Sequence, residues 1–245
     1  MPPIRFSIRF LAISLILLVP MVPSAALSGT EITPPREELR LLNASAGALR
    51  ALRSSPENRS LDYLLDKAKG VMVFPRVIKA GLLFGAEGGN GVMAARLPDG
   101  EWSAPVFFAM GGASVGLQLG VQRVTLILVL MDEDAVAGTM GKDFMLGADA
   151  TLAAGDALAA TEVSTASASP DIYFFSSVEG LFMGATLNGK VVSLDTGANL
   201  AFYGEEIAPR DVLMEGKHRD AQGAHILREV LWETAKGGVK PNEHP

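Results

Sequence analysis

The segment that most resembles a catalytic motif is Gly112–Gly116, because it matches the G-x-S-x-G pattern of a hydrolase nucleophile elbow centred on Ser114. That elbow requires a strand before the serine and a helix after it, so that the hydroxyl projects from the sheet. A strand is predicted over Val106–Met110, but Leu117–Leu130 is rich in β-branched residues and glycine and is also typical of strands. We therefore predict no catalytic residue, and a Ser114 serine hydrolase is kept only as an alternative.

Other residues that can bind ligands lack the pattern that such chemistry needs. The glycine-rich segment Gly85–Gly91 would cradle a phosphate only if a helix followed it, and the extended run Val92–Arg96 follows instead. The chain has three histidines and no cysteine, and Asp132–Asp134 lacks the glycine and distal glutamate of a calcium loop. The sequence predicts no metal site and no cofactor.

Basic residues near the amino terminus form the most suggestive binding pattern. On a helix from Pro34 to Arg53, Arg36, Arg40 and Arg50 fall on one stripe, opposite an apolar side of leucines. Such a helix can lie on an anionic lipid surface, where each basic residue contributes about 1 kcal/mol. The alternative is an ordinary amphipathic helix that packs its leucines on a sheet and leaves its arginines in water.

The elements that would position these residues fall into two regimes. Helical periodicity runs from Thr33 to Lys69, with a break at Ser55-Pro56 and a stop at Gly70. From Val71 to Asp195, short apolar runs alternate with glycines and turn signals, and a helical pattern returns over Asp220–Trp232. This order predicts an α+β fold: a curved antiparallel β-sheet, sandwich- or barrel-like, with helices at the N- and C-terminal ends.

The first residues predict export. Arg5 and Arg9 precede an apolar run that ends at Val22, and Ser24 and Ala26 offer small residues for cleavage, which is the pattern of a secretory signal peptide over residues 1–26. The run is too short for the about 20 residues of a membrane-spanning helix. We therefore expect a soluble periplasmic or secreted protein, with one domain over residues 27–236 and a disordered tail over 237–245.

Charge is unevenly distributed along the predicted mature chain. Residues 27–80 carry nine Lys and Arg against six Asp and Glu, whereas residues 81–245 carry ten against twenty-one. A basic amino-terminal part on an acidic body suggests a surface that attracts anions. Nucleic acid is not among the predicted partners, and solvated helix arginines without a binding role are the alternative interpretation.

An ordered series of motifs resembles the SYLF domain, a family of bacterial exported proteins and of eukaryotic proteins with SH3 or FYVE modules. The resemblance covers about residues 39–231. The motifs that carry it are Lys69–Gly81, Gly88–Val92, Trp102–Pro105, Gly111–Gly116, Leu146–Ala150, Gly180–Gly184 and Phe202–Gly204.

The resemblance implies lipid binding through an amino-terminal helix and basic residues, and actin binding in some yeast members; it implies no catalytic activity. We predict an exported, peripherally membrane-associated module that binds anionic phospholipids, with a protein partner (an envelope component or an actin-like protein) as the alternative. The predicted lipid-binding residues are the basic side chains of the first helix and of the segment that follows it: Arg36, Arg40, Arg50, Lys67, Lys69, Arg76 and Lys79.

Overall fold

The computed structural model describes residues 36–58, 60–141, 143–155, 170–177 and 187–235. The predicted signal peptide, the start of the predicted first helix and the predicted tail lie outside these ranges, and so do both limits of the predicted domain, 27–236. Within them, the predicted fold class is confirmed: a strongly curled, half-barrel sheet has helices at both ends.

Two helices precede the sheet. Helix α1 spans Arg36–Arg53 and α2 spans Ser60–Lys67, separated by a 3-10 turn at Pro56–Asn58. Acidic residues lie in the first turn of α1 and arginines in its last turn, which complements the helix dipole. The apolar residues predicted to share one face are buried, as shown by Leu42 and Leu49. No helix of the described part of the chain is long and apolar enough to cross a membrane.

Two long strands form the centre of the sheet. Strand β1 (Gly70–Ala95) pairs antiparallel with β2 (Val106–Leu130) almost from end to end. The sequence predicts several short strands here, whereas the structure joins them into two continuous ones. The register shifts between Phe74 and Val77, beside Pro75, and again between Gly81 and Leu83. Bulges and glycines let a strand bend sharply without losing its partner, so the glycine signals mark curvature rather than chain breaks.

Four short strands complete the sheet along the other edge of β2. They are β3 (Phe144–Met145), β4 (Leu152–Ala154), β5 (Ile172–Ser176) and β6 (Val191–Leu194). Strand β6 pairs with the first part of β2 and β5 with its last part, giving a six-stranded sheet among the described residues. The β4–β5 pair is parallel, so the predicted antiparallel arrangement holds for the other pairs only.

The curl of the sheet brings the two ends of β1 together. The backbone N–H of Arg96 donates to the carbonyl of Lys69 at 2.8 Å. A Cβ placed on Gly89 would lie 2.4 Å from the carbonyl oxygen of Arg76, and one on Gly91 would lie 2.5 Å from the Phe74 ring. Glycine at these positions therefore permits a backbone approach that any side chain would block.

Both faces of the sheet base are covered. One face buries Phe74, Phe108 and Leu128 in a cluster that includes residues from α3 (Glu133–Thr139) and from α5 (Pro209–Leu213). The other face buries Phe107 and Val129 in a second cluster with the leucines of α1 and α2. Double coverage explains why Val71–Phe74 is a continuous apolar run rather than an alternating one.

The carboxyl-terminal helices fix this second cluster. Helix α4 spans Thr196–Tyr203 and α6 spans His225–Ala235. The side chain of Asn199 is buried and bonds both backbone groups of Phe107, with its Nδ2 2.9 Å from the carbonyl and its Oδ1 3.0 Å from the amide. The helical pattern predicted over Asp220–Trp232 appears as α6, which begins five residues later and buries Leu227 and Val230 completely.

Candidate binding surface

Helix α1 fully or partly buries its larger apolar residues and exposes its charged side to solvent. Leu42 and Leu49 have no exposed surface, and they pack in the same cluster as Phe107 of β2. Arg36 and Arg40 are exposed on the opposite side. The leucines therefore already have a partner inside the domain, and α1 in this position can contribute charge to a binding surface but not apolar insertion.

The seven predicted lipid-binding residues divide into two groups. Among the described residues, no carboxylate lies within ion-pair distance of Arg36, Arg40 or Arg76, all of which are exposed. Lys67 is also exposed, and its ammonium group lies 4.0 Å from the centre of the Tyr63 ring, to whose hydroxyl it donates. These four residues are available to an anionic ligand.

The other three predicted residues form ion pairs. Arg50 lies 3.2 Å from Glu233 of α6 and Lys69 lies 3.3 Å from Glu133 of α3. The hydrogen bond from Arg50 lowers the pKa of the Glu233 carboxyl below its ordinary value. Both pairs are exposed and therefore contribute little to stability, but they link neighbouring elements.

Lys79, the third, belongs to a buried ion cluster that the sequence does not reveal. Its Nζ lies 3.3 Å from Oε2 of Glu87, and Nζ of Lys190 lies 2.9 Å from Oε1 of the same carboxylate. The Lys190 ammonium also donates to the carbonyl of Ala113. The side chains of Glu87 and Lys190 are 1% and 3% exposed, so this cluster lies inside the curled sheet rather than on a binding surface.

A second exposed surface lies on the sheet itself, and we call it the open sheet face: Arg76, Ile78 and Ala80 of β1 with Val121 and Arg123 of β2. Ile78 pairs with Arg123 and Ala80 with Val121. All five residues are exposed, with Val121 at 68% and Ile78 at 42%. Of these five, only Arg76 is among the predicted binding residues. The sequence signal for Ile78 and Ala80 was their two-residue alternation with Arg76 around the buried Val77.

Comparison with known proteins places the chain in a family. The family model for Ysc84, described as "Las17-binding protein actin regulator", matches residues 111–234. This chain belongs to the Ysc84 (SYLF) family. Human SH3 domain-containing YSC84-like protein 1 is 34% identical over 181 residues, which cover 73% of this chain and 52% of the human protein.

Two yeast members of the Ysc84 family give the same result. Protein YSC84 of Saccharomyces cerevisiae is 36% identical over 178 residues, covering 69% of this chain and 36% of the yeast protein. LAS seventeen-binding protein 3 is 33% identical over 177 residues, covering 69% of this chain and 37% of its own length. The chain thus spans about half of the human protein and little more than a third of the yeast proteins.

In this Ysc84-family member the G-x-S-x-G segment lies within a strand. Ser114 pairs with Gly85, and β2 continues without interruption to Leu130, so no helix follows the serine and there is no elbow. Gly112 has a structural role, because a Cβ there would lie 2.7 Å from Cδ of Lys190. The glycine therefore leaves room for the lysine stem that crosses β2 to reach the buried carboxylate.

The acidic segment at residues 132–134 also has a structural explanation. Asp132 caps helix α3, its carboxylate accepting from the amide of Ala135 at 2.6 Å, and Glu133 and Asp134 lie in the first turn. Negative charge at a helix amino terminus is stabilising. Within the described ranges, no three or more histidine, aspartate or glutamate residues lie close enough together to hold a metal ion.

Proposed function

We propose that this domain is a non-catalytic binding module whose partner is an acidic protein surface of the kind that an actin filament presents. The observation that carries the proposal is the state of α1: its leucines are buried or packed against the core, and Arg36 and Arg40 are exposed without a carboxylate partner among the described residues. A helix face with charge but no free apolar side fits a rigid, charged protein surface better than the interior of a bilayer.

The family supports a protein partner. The matched model is described as an actin regulator and as Las17-binding, and a yeast relative is named a LAS seventeen-binding protein. Arginine suits such contacts because its planar guanidinium binds carboxylates through two parallel hydrogen bonds. An exported protein would meet a comparable surface on an envelope component. Filamentous actin is the appropriate first probe because the family description names actin regulation.

The test is co-sedimentation of the full chain with actin filaments, using the double variant Arg36→Glu/Arg40→Glu. We expect the wild type to sediment with filaments, more strongly at low ionic strength because exposed charges are then less screened. The double variant should bind about tenfold more weakly or worse, since each reversal replaces an attraction with a repulsion. Both positions are exposed, and residue 36 lies in the first turn of α1, where a glutamate favours the helix, so we expect the double variant to fold.

The matched control is Arg210→Glu/Arg228→Glu, which changes the net charge of the protein by the same amount. Neither Arg210 nor Arg228 has an ion pair with the described residues, and neither lies on α1 or the open sheet face. Filament binding by the control should match the wild type. Equal losses of filament binding in both variants would show that the loss comes from net charge and not from the α1 site. A wild type that stays in the supernatant would eliminate actin as the partner.

Anionic phospholipids are the second candidate, through the predicted site Arg36, Arg40, Arg50, Lys67, Lys69, Arg76 and Lys79. The observation that favours it is that Arg36, Arg40, Lys67 and Arg76 are exposed and have no carboxylate partner among the described residues, in a protein of net charge −6. Flotation with vesicles, using the same two double variants, tests this candidate separately from actin. Loss of flotation in the α1 variant alone would support the phospholipid candidate. Unchanged flotation of both variants would show that Arg36 and Arg40 do not belong to the lipid site.

We also propose that the chain is exported and that its signal peptide is cleaved after Ala26. The support is the basic, apolar and small-residue order of residues 5–26. Amino-terminal sequencing of protein recovered from the producing cells should begin at Leu27. Recovery of an intact amino terminus, extracted only with detergent, would contradict the proposal.

A further inference from the structure

The open sheet face continues a face that the helices cover elsewhere. Along β2, Val129 and Ile127 are buried in the cluster that contains the leucines of α1 and α2. Residues at two-residue steps along a strand share a face, so Arg123 and Val121 follow on the same side. They are exposed, and so are their partners Ile78 and Ala80 on β1. The helices therefore stop short of this part of the sheet.

The composition of the open sheet face is unusual for an exposed strand pair. Ile78 and Val121 are two of the few large hydrophobic side chains that are exposed in the described part of the chain. Arg123 is directly opposite Ile78 and, like Arg76, has no carboxylate within ion-pair distance among the described residues. Exposed aliphatic groups flanked by unpaired arginines indicate a docking surface for an anionic partner rather than a solvated strand.

The composition of the strand segments next to the open sheet face favours a bilayer over a second copy of the chain as the partner. Residues 80–86 and 111–122 contain no charged residue, and they pair with each other where the long β1–β2 ladder is most irregular, as between Leu83 and Gly116. In the sequence, the arginines thus adjoin an uncharged, largely apolar stretch of both strands. A bilayer surface favours this composition, because arginines bind phosphate groups at the headgroup level while neighbouring apolar residues suit the acyl boundary. A second copy of the chain fits less well, because a symmetric contact would oppose arginine to arginine.

We propose that the open sheet face docks on an anionic phospholipid bilayer: Ile78 and Val121 enter the headgroup region, while Arg76 and Arg123 bind phosphate oxygens. The inference rests on the phospholipid candidate above and gives it an apolar anchor that α1 does not supply. It assigns roles to Ile78, Val121 and Arg123, which no sequence motif indicated.

The test is flotation of the full chain with vesicles of phosphatidylcholine alone or of equal parts phosphatidylcholine and phosphatidylglycerol. The variant Ile78→Thr/Val121→Thr removes the apolar anchors without changing charge, and threonine keeps the β-branched shape that strands favour. Wild type should float with the mixed vesicles only. The variant should bind at least about tenfold more weakly at low and at high salt, because the lost contribution is not electrostatic. The matched control is Met145→Thr/Leu200→Gln, which removes two other exposed apolar side chains.

A labelling experiment keeps the proposal testable if the threonine variant is poorly folded. The chain has no cysteine, so Val121→Cys and Leu200→Cys each give a single site for an environment-sensitive fluorophore. The label at residue 121 should shift to shorter wavelength with mixed vesicles, and the label at residue 200 should not.

Three outcomes would overturn the inference. The first is a wild type that does not float, which would also remove the phospholipid candidate. The second is flotation that depends on Arg36 and Arg40 but not on Ile78 and Val121, which would leave that candidate standing without this anchor. The third is a threonine variant that floats normally but no longer sediments with actin filaments, which would assign the open sheet face to the protein partner.

Discussion

Replacing Glu87 with glutamine should destabilise the domain by about 3–5 kcal/mol, because the substitution removes the counter-charge of the buried Lys190 ammonium group, which Glu87 also provides for the partly buried Lys79. Lys190 is 3% exposed, so it cannot move its ammonium group fully into water without rearranging the sheet, whereas Lys79 is 16% exposed. Both face the carboxylate within ion-pair distance, although neither is aligned for a hydrogen bond to it. The measurement is the free energy of unfolding from denaturant titration followed by circular dichroism.

The control for this substitution is Glu206→Gln. Glu206 is exposed and makes no ion pair with the described residues, so its loss should change stability by less than about 0.5 kcal/mol. A second variant, Glu87→Leu/Lys190→Met, should recover part of the stability lost in Glu87→Gln, because apolar residues of similar volume often replace a buried ion pair well. A loss below about 1 kcal/mol for Glu87→Gln would show that solvent reaches the cluster.

The second large effect is expected at Gly89. A Cβ on this residue would lie 2.4 Å from the carbonyl oxygen of Arg76 and 3.1 Å from Cα of Val77, both backbone atoms that cannot rotate away. Gly89→Ala must therefore push apart the two halves of β1 where the sheet curls. Overpacking of this kind costs about 1–3 kcal/mol or more, and we expect the upper end of that range because the obstacle is backbone. Thermal unfolding of the purified protein measures the loss.

Gly47 provides a matched control with the same substitution. It lies in α1, and no atom outside the helix would come within 4 Å of a Cβ at this position. Gly47→Ala should therefore stabilise the protein by about 0.5–1 kcal/mol, since alanine has the higher helix propensity. Opposite signs at the two glycines would confirm that Gly89 is required by a tertiary approach. A neutral Gly89→Ala would mean that the half-barrel can open at this point without loss.

Substitutions inside the curled sheet and substitutions on the surface should affect different properties, stability in the first case and binding in the second. Glu87 and Gly89 act inside the curl, whereas Arg36, Arg40 and the open sheet face lie on the surface. Substitutions of the first kind should lower the unfolding temperature and affect any binding only through folding. Substitutions of the second kind should leave the unfolding temperature within a few degrees of wild type and change binding directly.

Local sequence patterns were enough to predict the first two helices, the last helix and the class of the fold, but not the three short helices α3, α4 and α5. The three- and four-residue spacing of leucines placed α1 and α2, and the break at Ser55-Pro56 appears in the structure as a 3-10 turn. These signals are local, because a helix satisfies its own backbone hydrogen bonds and the period of its apolar residues depends only on neighbouring turns. The motif series also indicated the family. The order and spacing of motifs can be read along the chain without knowing which residues are in contact.

The availability of the basic residues depends on tertiary contacts that the sequence does not encode locally. Arg36 and Arg50 look equivalent on the α1 stripe, yet Arg50 meets Glu233 of α6 and Arg36 meets no described carboxylate. Lys79 looked like a surface residue of the motif segment, but the curl of β1 turns it toward Glu87 and Lys190. Ion pairs and strand register join residues that are distant along the chain. No local period encodes them, and they are fixed only when the curled sheet brings these residues together.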